Sequence, residues 1–471
     1  MNFVQAEFLG FFLAVFCLYW LLRERRAQNL LLVVASAVFY GWIHPWFLGL
    51  LWFSAILDYS VGRLMVERPQ WKRALLAASL TGNLGMLGLF KYYDFFVDNM
   101  VQALSMLGVP LQLGTLGLIL PVGISFYTFQ TLSYTIDVYR GRLAPRRDAL
   151  DYLVYVGFFP QLVAGPIERA STLLPQVERA RRFDGAQVVS GLSLAMWGAF
   201  QKVCIADAIA PYVDKVFVAR EPPTALVLVA TFGFGVQILA DFSGYTDLAR
   251  GTARMLGFEL SRNFDRPYRA ASTPDFWRRW HITLSSWVAD YVYTPLLRAG
   301  RPSAARVVMA NLVTFLAIGL WHGAAWNFVL LGLFNGLCMS AYLLLTPLVP
   351  SRLRAHPAAH ASGILLHTAV VLTPTALLFR EPDMARAWAA LQPDRWPVSR
   401  DEAVAVVIVL AMAGLGAVIQ NTADLAEDHV MPRLRDSWLW VPAQTTFSAL
   451  AAVAVFVMWR DASADFIYFE F

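Results

Sequence analysis

The stretch VVMANLVTFLAIGLWHGAAWNFVLLGLFNGLCMSAYLLL, residues 307–345, consists of two apolar runs with His322 between them. Neither Val307–Trp321 nor Ala325–Leu345 contains a charged side chain, and both approach the roughly 20 residues that a helix needs to cross a bilayer. An ionisable side chain at such a depth is rare and indicates a functional site by default. The stretch therefore predicts two spanning helices with a candidate functional histidine between them.

The rest of the chain is similarly apolar. Of its 471 residues, 58% are hydrophobic and 15% are charged, whereas a typical soluble domain has about 45–50% apolar and about 25% charged residues. These values exclude a series of soluble domains and a disordered chain. The three cysteines are too few for a disulfide-stabilised scaffold of this length. We therefore expect an all-α integral membrane protein.

Further apolar runs predict the number of crossings. We expect about ten or eleven, from runs close to the length of a spanning helix. Leu153–Val163 is too short to cross and indicates a re-entrant piece, and Lys202 interrupts another run. The other candidate spans are Glu7–Leu22, Leu30–Trp42, Trp46–Val61, Ala74–Leu89, Leu116–Tyr134, Val188–Ile209, Leu226–Leu239, Ile364–Leu378, Val404–Ile419 and Trp438–Met458.

Short clusters of basic residues predict the orientation. Arginines follow the first, third and fifth candidate spans, within residues 23–26, 63–73 and 140–147, and recur within 298–306. Loops rich in Lys and Arg stay on the cytoplasmic side of a membrane. Alternating crossings from these clusters then place both termini outside. Because the basic residues fall between apolar runs, they indicate contact with membrane lipids and no nucleic-acid partner.

The stretch Ser261–Leu297 is too polar to cross the membrane. A single helix from Thr273, with that residue as a possible N-cap, would have an apolar, largely aromatic face and a polar face, which is typical of a helix lying along the membrane interface. The first face would hold Trp277, Trp280, His281, Leu284, Val288 and Tyr291, and the second Arg279, Thr283, Ser286 and Asp290.

A second polar stretch, Leu239–Arg250, follows directly on an apolar run. Asp241, Ser243 and Asp247 cluster in it. Polar groups at membrane depth must find partners or line a water-filled cavity. We therefore expect this cluster either to support a site or to line one.

His281 is a second candidate for chemistry, with Ser285 one helical turn further on. Two histidines can serve one acyl transfer, in which one accepts the proton of the acceptor hydroxyl and the other positions or protonates. A structural role, such as a hydrogen bond to a neighbouring helix, remains the alternative for both His322 and His281. No HExxH, Walker A or GxSxG motif is present, so metalloprotease, NTPase and hydrolase functions lack support, and we expect no metal.

Several motifs together resemble the membrane-bound O-acyltransferase superfamily, and specifically its bacterial branch that acetylates extracellular polysaccharides. They follow one another in order from residue 121 to the last residue. The motifs are PVGISFYTFQTLSYTIDVYRG (121–141), FFPQLVAGPIER (158–169), DFSGYTDLARG (241–251), NFDRPYRA (263–270), DFWRRWHITLSSW (275–287), LWHGAAWNF (320–328) and FIYFEF (466–471).

This resemblance implies a ring of transmembrane helices with re-entrant and interfacial helices around a central tunnel, formed by residues 1–459. His322 is then the catalytic histidine and His281 the second, tunnel-facing histidine. Acetyl-coenzyme A is the implied cytoplasmic donor, and the location is the bacterial inner membrane. A soluble extracytoplasmic SGNH or esterase-like acetyltransferase is the implied partner. The remaining motif residues would line the tunnel or support it: Trp321, Gly323, Asp241, Ser243, Ser285 and Asn327.

The last residues, 460–471, are expected to form an extracytoplasmic tail with an FxYxxF motif. Tyr468 is the only hydroxyl in the final six residues. Because the tail lies outside and the thioester donor inside, we expect Tyr468 to act as an acyl relay, with anchoring at the interface as the alternative. The ending FIYFEF lacks the Gln that relatives usually have before the final Phe.

Three other functions remain open from the sequence. Within the same superfamily, the chain could transfer D-alanyl groups to teichoic acids. From a different class, it could be a transporter with a proton-relay histidine, although no repeated halves are found. It could also be an inactive scaffold for a secreted transferase, against which the presence of both histidines argues.

Overall fold

The computed structural model describes residues 1–459 apart from 110, 164, 302, 355, 391, 393–395, 397, 398 and 436. In this part of the chain every regular element is helical and no β-strand occurs. The predicted all-α class is confirmed. The chain divides into two compact units: Met1–Gly191 with Ala249–Ser261, and Leu192–Leu248 with the described residues from Arg262 onward.

The helices of the first unit come from the N-terminal part of the chain. Two short helices, α7 and α8, cover the predicted re-entrant run Leu153–Val163 up to Leu162. The helices are α1 (Ala6–Leu21), α2 (Arg25–Gly41), α3 (Phe47–Glu67), α4 (Lys72–Leu87), α5 (Tyr93–Met106), α6 (Ile124–Tyr139), α7 (Ala149–Gly157), α8 (Phe159–Leu162) and α9 (Ala170–Glu178).

Two long helices, α10 and α12, run from one unit into the other along the chain, and the remaining helices belong to the second unit. They are α10 (Gly185–Phe200), α11 (Asp207–Val218), α12 (Thr224–Met255), α13 (Thr273–Arg279), α14 (Ile282–Val288), α15 (Thr294–Arg298), α16 (Ala304–His322), α17 (Trp326–Leu345), α18 (Ser351–Arg354), α19 (Pro357–His367), α20 (Thr373–Arg380), α21 (Met384–Ala390), α22 (Arg400–Leu425), α23 (Met431–Arg435) and α24 (Trp440–Met458).

Nine helical stretches among the described residues are long and apolar enough to cross a membrane, against about ten or eleven predicted. Many of their apolar side chains face outward; Phe456, for example, is 82% exposed, as expected where lipid covers the surface. The first helix, α1, is apolar but shorter. The stretches are Phe47–Glu67, Pro69–Met106, Gly185–Val218, Thr224–Met255, Ala304–His322, Trp326–Leu348, Ala358–Arg380, Arg400–Leu434 and Trp440–Met458.

Five single π-helical turns join consecutive α-helices in the described part of the chain. A π turn contains one residue more than the α-helical turn that it replaces, and such turns are frequent at functional sites. They are Gly88–Tyr92, Gln201–Ala206, Ala289–Tyr293, Thr368–Leu372 and Ala426–Val430.

The predicted span Leu116–Tyr134 is wrong in its first half. Residues 111–121 form no helix, and α6 begins only at Ile124. Pro121 lacks a backbone N–H, and Gly123 has a φ of 78°, a conformation that favours glycine. A Cβ at Gly123 would lie 2.5 Å from the carbonyl oxygen of Leu162. The apolar side chains before α6 are largely exposed, as for Ile119 at 56%, and close packing begins only at Gly123. The run is therefore not one continuous crossing.

A buried carboxylate joins α3 to α4 in the first unit. Asp58 is fully buried and accepts hydrogen bonds from Ser79 Oγ at 2.5 Å and from Asn83 Nδ2 at 3.0 Å. Ser54 Oγ donates to Asn83 Oδ1 at 2.5 Å. Polar groups inside a membrane helix must be satisfied by neighbouring helices. These bonds therefore fix the packing of α3 on α4.

The predicted interfacial helix from Thr273 is wrong as a single helix. The chain forms α13 and α14, which are separated at Trp280 and His281, and the N-cap is Ser272, whose side chain accepts from the backbone N–H of Asp275. Thr283, assigned to the polar face, is buried and donates to Asn263 Oδ1 at 2.7 Å. The apolar side chains of this segment pack inside the second unit, where Trp277 contacts Phe315.

Candidate active site

His322 is the last residue of α16, and only 5% of its surface is exposed. The chain turns after it and starts α17 at Trp326. The predicted position of His322 between two spanning helices is therefore confirmed. A Cβ at Gly323 would overlap the ring of Phe328, so Gly323 both ends α16 and lets this ring pack closely.

Three aromatic rings surround the His322 imidazole, and we call them the aromatic cage. Trp321 and Phe379 lie with their ring centroids 5.0 Å from the imidazole, and Phe328 lies at 6.3 Å. Phe328 and Phe379 also pack edge to face on each other at 5.4 Å. The cage restricts the space around His322.

A cavity of about 400 Å³ in the second unit reaches His322. This volume is within the range of small-molecule and cofactor sites, about 300–1,000 Å³. Helices α12, α13, α17, α20 and α22 all contribute to its wall. Its aromatic lining residues are Phe232, Phe234, Tyr268, Phe276, Trp277, Trp280 and Phe379.

A group of polar side chains, here called the polar wall, lines the same cavity and consists of Arg266, Arg269, Gln420, Asn421 and Asp424. Asp424 Oδ2 lies 3.8 Å from Arg266 and 3.7 Å from Arg269. Arg269 also donates to Asn421 Oδ1 at 3.3 Å. Arg266 makes a shorter ion pair with Asp428, at 2.7 Å. The cavity thus combines an aromatic part with guanidinium groups whose carboxylate partners come from α22 and the π turn after it.

His281 does not line this cavity, although its neighbour Trp280 does. Its ring is fully buried and packs at 4.7 Å on Phe242 and at 5.5 Å on Trp321. Burial lowers the pKa of His281 to about 3, so the ring is neutral at physiological pH. The backbone of His281 has a φ of 41°, a left-handed conformation that is uncommon for residues other than glycine. This backbone turn, and not a helical face, directs the ring.

Asp241 and Ser243 take part in a buried polar network between α12 and the π turn Gln201–Ala206. Lys202 Nζ lies 2.6 Å from Asp241 Oδ1 and 2.9 Å from Asp207 Oδ1. Ser243 Oγ donates to Gln201 Oε1 at 2.5 Å. Neither Asp241 nor Ser243 lines the cavity. Their positions support the hypothesis that they hold the site together.

The other predicted residues are placed as follows. Asn327 is buried, and its Nδ2 donates to the carbonyl oxygen of Leu378 at 3.1 Å, which links α17 to α20. Ser285 Oγ donates to the carbonyl oxygen of Trp280 at 3.0 Å and stabilises the turn before α14. Tyr468 lies outside the described residues. The described part of the chain contains no group of three or more His, Cys, Asp or Glu side chains that could hold a metal ion.

Sequence reasoning missed four contributors to the site: Phe379, Arg266, Arg269 and Lys202. Phe379 packs on His322, and Arg266 and Arg269 line the same cavity, through contacts between distant parts of the chain, so no local pattern indicates them. Lys202 could have been found, because it is a lysine inside an apolar run and the carboxylate of Asp241 needed a partner at membrane depth.

Comparison with known proteins identifies a family to which this chain is similar. The model of the MBOAT, membrane-bound O-acyltransferase, family matches residues 142–364. This range contains both His281 and His322. The tail and the first spans lie outside it.

Individual relatives extend the similarity over most of the chain. A probable alginate O-acetylase AlgI of Azotobacter vinelandii is 38% identical over 341 residues, which are 71% of this chain and 67% of the relative. A peptidoglycan O-acetyltransferase of Helicobacter pylori is 34% identical over 374 residues, 72% of this chain and 68% of the relative. A teichoic acid D-alanyltransferase of Bacillus subtilis is 28% identical over only 230 residues, 47% of this chain and 58% of the relative.

Proposed function

Because the chain belongs to the membrane-bound O-acyltransferase family, we propose that this multi-pass membrane protein transfers acetyl groups from cytoplasmic acetyl-coenzyme A for O-acetylation of a cell-surface polysaccharide. The observation that carries the proposal is the position of His322, a buried histidine at the end of a membrane-spanning helix that lines a cavity. Alginate-like exopolysaccharide and peptidoglycan are the acceptors that the relatives' names suggest.

His322 would act as the general base. An imidazole nitrogen accepts the proton of the acceptor hydroxyl as the hydroxyl oxygen attacks the thioester carbonyl carbon. The new C–O bond forms, the C–S bond breaks, and the departing thiolate takes the proton back from the imidazolium. General acid–base catalysis of this kind contributes about 10²–10⁴ in rate.

The size of the cavity is consistent with a thioester donor. Its volume of about 400 Å³ is far larger than an acetyl group requires, so it offers room for the arm that bears the thioester. Aromatic walls exclude water from the reacting atoms, which limits hydrolysis of the thioester.

Transfer across the membrane would use the tail. With both termini extracytoplasmic, Tyr468 would receive the acetyl group and pass it to a soluble SGNH or esterase-like acetyltransferase. A phenol with a pKa near 10 is a poor nucleophile until a base accepts its proton, and His322 would be that base. The inner membrane of a bacterium is the location that fits a cytoplasmic donor and a surface acceptor.

D-alanyl transfer is the weaker alternative, because the D-alanyltransferase relative covers less than half of this chain at 28% identity. A transporter would use the cavity for passage, yet the family is one of acyltransferases. We therefore retain acetyl transfer as the proposed reaction.

The test replaces His322 in cells that O-acetylate a surface polysaccharide. His322→Ala and His322→Gln should both abolish polymer acetylation, since Gln keeps polar bulk but cannot exchange a proton in this way. His360→Ala, at an exposed histidine, is the matched control and should acetylate normally. Membrane amounts of each variant are compared by immunoblot. Normal acetylation in either His322 variant, at normal protein levels, rules out the general-base role.

A further inference from the structure

Phe379 belongs to the aromatic cage around His322 and also lines the cavity. Its ring stands at 74° to the imidazole, with centroids 5.0 Å apart, and both side chains line the cavity. Only 6% of Phe379 is exposed. A group bound at His322 from the cavity side therefore meets this ring.

The residues on both sides of Phe379 are held by contacts with other helices. On one side, Asn327 Nδ2 donates to the carbonyl oxygen of Leu378 at 3.1 Å. On the other side, Arg380 pairs with Asp214 at 2.8 Å and stacks on Phe217 at 5.3 Å. Both chain neighbours of Phe379 are thus held by contacts, and Phe328 packs on its ring, so displacement of the ring would cost the contact with Phe328.

The volume of the cavity does not by itself limit the acyl group. A space of about 400 Å³ would admit chains much longer than acetyl. Discrimination by length must therefore come from the side chains next to His322. Among the aromatic residues of the cavity wall, Phe379 is the one that also forms the cage.

We propose that Phe379 is a specificity-determining residue that restricts transfer to short acyl groups by closing the space beside His322. The inference rests on the proposed acyl transfer and adds the basis for its selectivity. A single methylene in an apolar pocket changes the selectivity of an enzyme by about 10–200-fold. Removal of the ring should therefore admit the two additional methylenes of a butyryl group.

The experiment is a competition between donors. Membranes that contain the full chain and its polysaccharide acceptor receive equal concentrations of acetyl- and butyryl-coenzyme A, and mass spectrometry counts the acyl groups on the polymer. Phe379→Ala should lower the acetyl-to-butyryl ratio by at least about tenfold. Phe379→Leu is a smaller change that is better tolerated in a packed site. It should also lower the acetyl-to-butyryl ratio, and it provides the test if the alanine variant does not accumulate.

Phe12→Leu is the matched control. Phe12 is a buried phenylalanine of α1 in the first unit, where its ring packs on Phe8 and Phe16, and it does not line the cavity. This variant should keep the wild-type ratio. If the wild type transfers acetyl groups and neither Phe379 variant changes the ratio, or if Phe12→Leu changes it equally, the inference is overturned while the proposed function stands. If the wild type transfers no acyl group, the proposed function fails, and this inference fails with it.

Discussion

His281 and His322 contact the same indole ring. The imidazole of His281 lies 5.5 Å from Trp321, and that of His322 lies 5.0 Å from it. Only His322 lines the cavity. The two histidines are therefore coupled by packing through Trp321, while their access to a substrate in this cavity differs.

His281→Ala should lower acetyl transfer by at least about tenfold, because the buried ring positions Trp321 and the groups around it. His281→Asn should retain more activity, since asparagine tolerates the positive φ at this position. The ring is neutral with a pKa of about 3, so the pH profile of the remaining activity should keep its shape between pH 5 and 8. A wild-type rate in His281→Ala would make this residue purely structural.

Lys202→Met should lower the free energy of unfolding by about 3–5 kcal/mol, because it leaves the buried carboxylates of Asp241 and Asp207 without their cation. Adding Asp241→Asn should recover part of this loss. Lys215→Met, at an exposed lysine of α11, is the matched control and should change stability by less than about 0.5 kcal/mol. Unfolding midpoints in detergent measure all three. Equal midpoints for Lys202→Met and the control would contradict a stabilising role of the network.

Glu168 should make stability depend on pH. It is buried, accepts hydrogen bonds from Ser261, and burial raises its pKa from 4.5 to about 7. Because the pKa is raised in the folded state, the protonated carboxyl contributes its full stability below pH 4.5. This stability is lost as the pH rises from 4.5 through 7, at about 1.4 kcal/mol per pH unit.

Glu168→Gln removes this titration. The difference between the unfolding midpoints at pH 5.5 and pH 8 should therefore be smaller in the variant than in the wild type. Because both proteins share every other titrating group, the comparison isolates Glu168. An identical pH dependence in the two proteins would show that Glu168 does not titrate in this range.

Tyr468→Phe should abolish polymer acetylation, because it keeps the ring and removes only the hydroxyl that would carry the acetyl group. Mass spectrometry of the C-terminal peptide, after incubation with acetyl-coenzyme A, should detect an acetylated tyrosine in the wild type. Normal acetylation of the polymer by the variant would leave the tail with an anchoring role.

The features predicted well from the sequence depend on local composition. Apolar runs of spanning length gave the helical class and the hairpin of α16 and α17, because a membrane helix must satisfy its backbone groups internally and cover its surface with apolar side chains. The position of His322 follows from the same argument. The roles of His322, His281 and Tyr468 in catalysis stay predictions.

The features predicted poorly depend on contacts between distant residues. A continuous helix through His281 fits the spacing of its aromatic residues. In the structure, however, the backbone N–H of Ile282 donates to the carbonyl oxygen of Asn263 at 2.9 Å and not to an acceptor of the same helix. Phe379 reaches His322 from a position 57 residues further along the chain. Neither contact has a local signature in the sequence, so the residues that line the cavity could not be predicted from it.

In the π turn Gln201–Ala206, the number of residues decides which side chains reach the neighbouring helix α12. Successive side chains of a regular α-helix point about 100° apart, so only one of two neighbours can face a given partner helix. Across the wide turn, both Gln201 and Lys202 bond to side chains of α12. Deleting any one residue of this turn would restore regular geometry and rotate one of these neighbours away from α12, even though the composition of the segment would hardly change. The register of the helix at this point therefore depends on the number of residues in the turn, independently of which amino acids fill it.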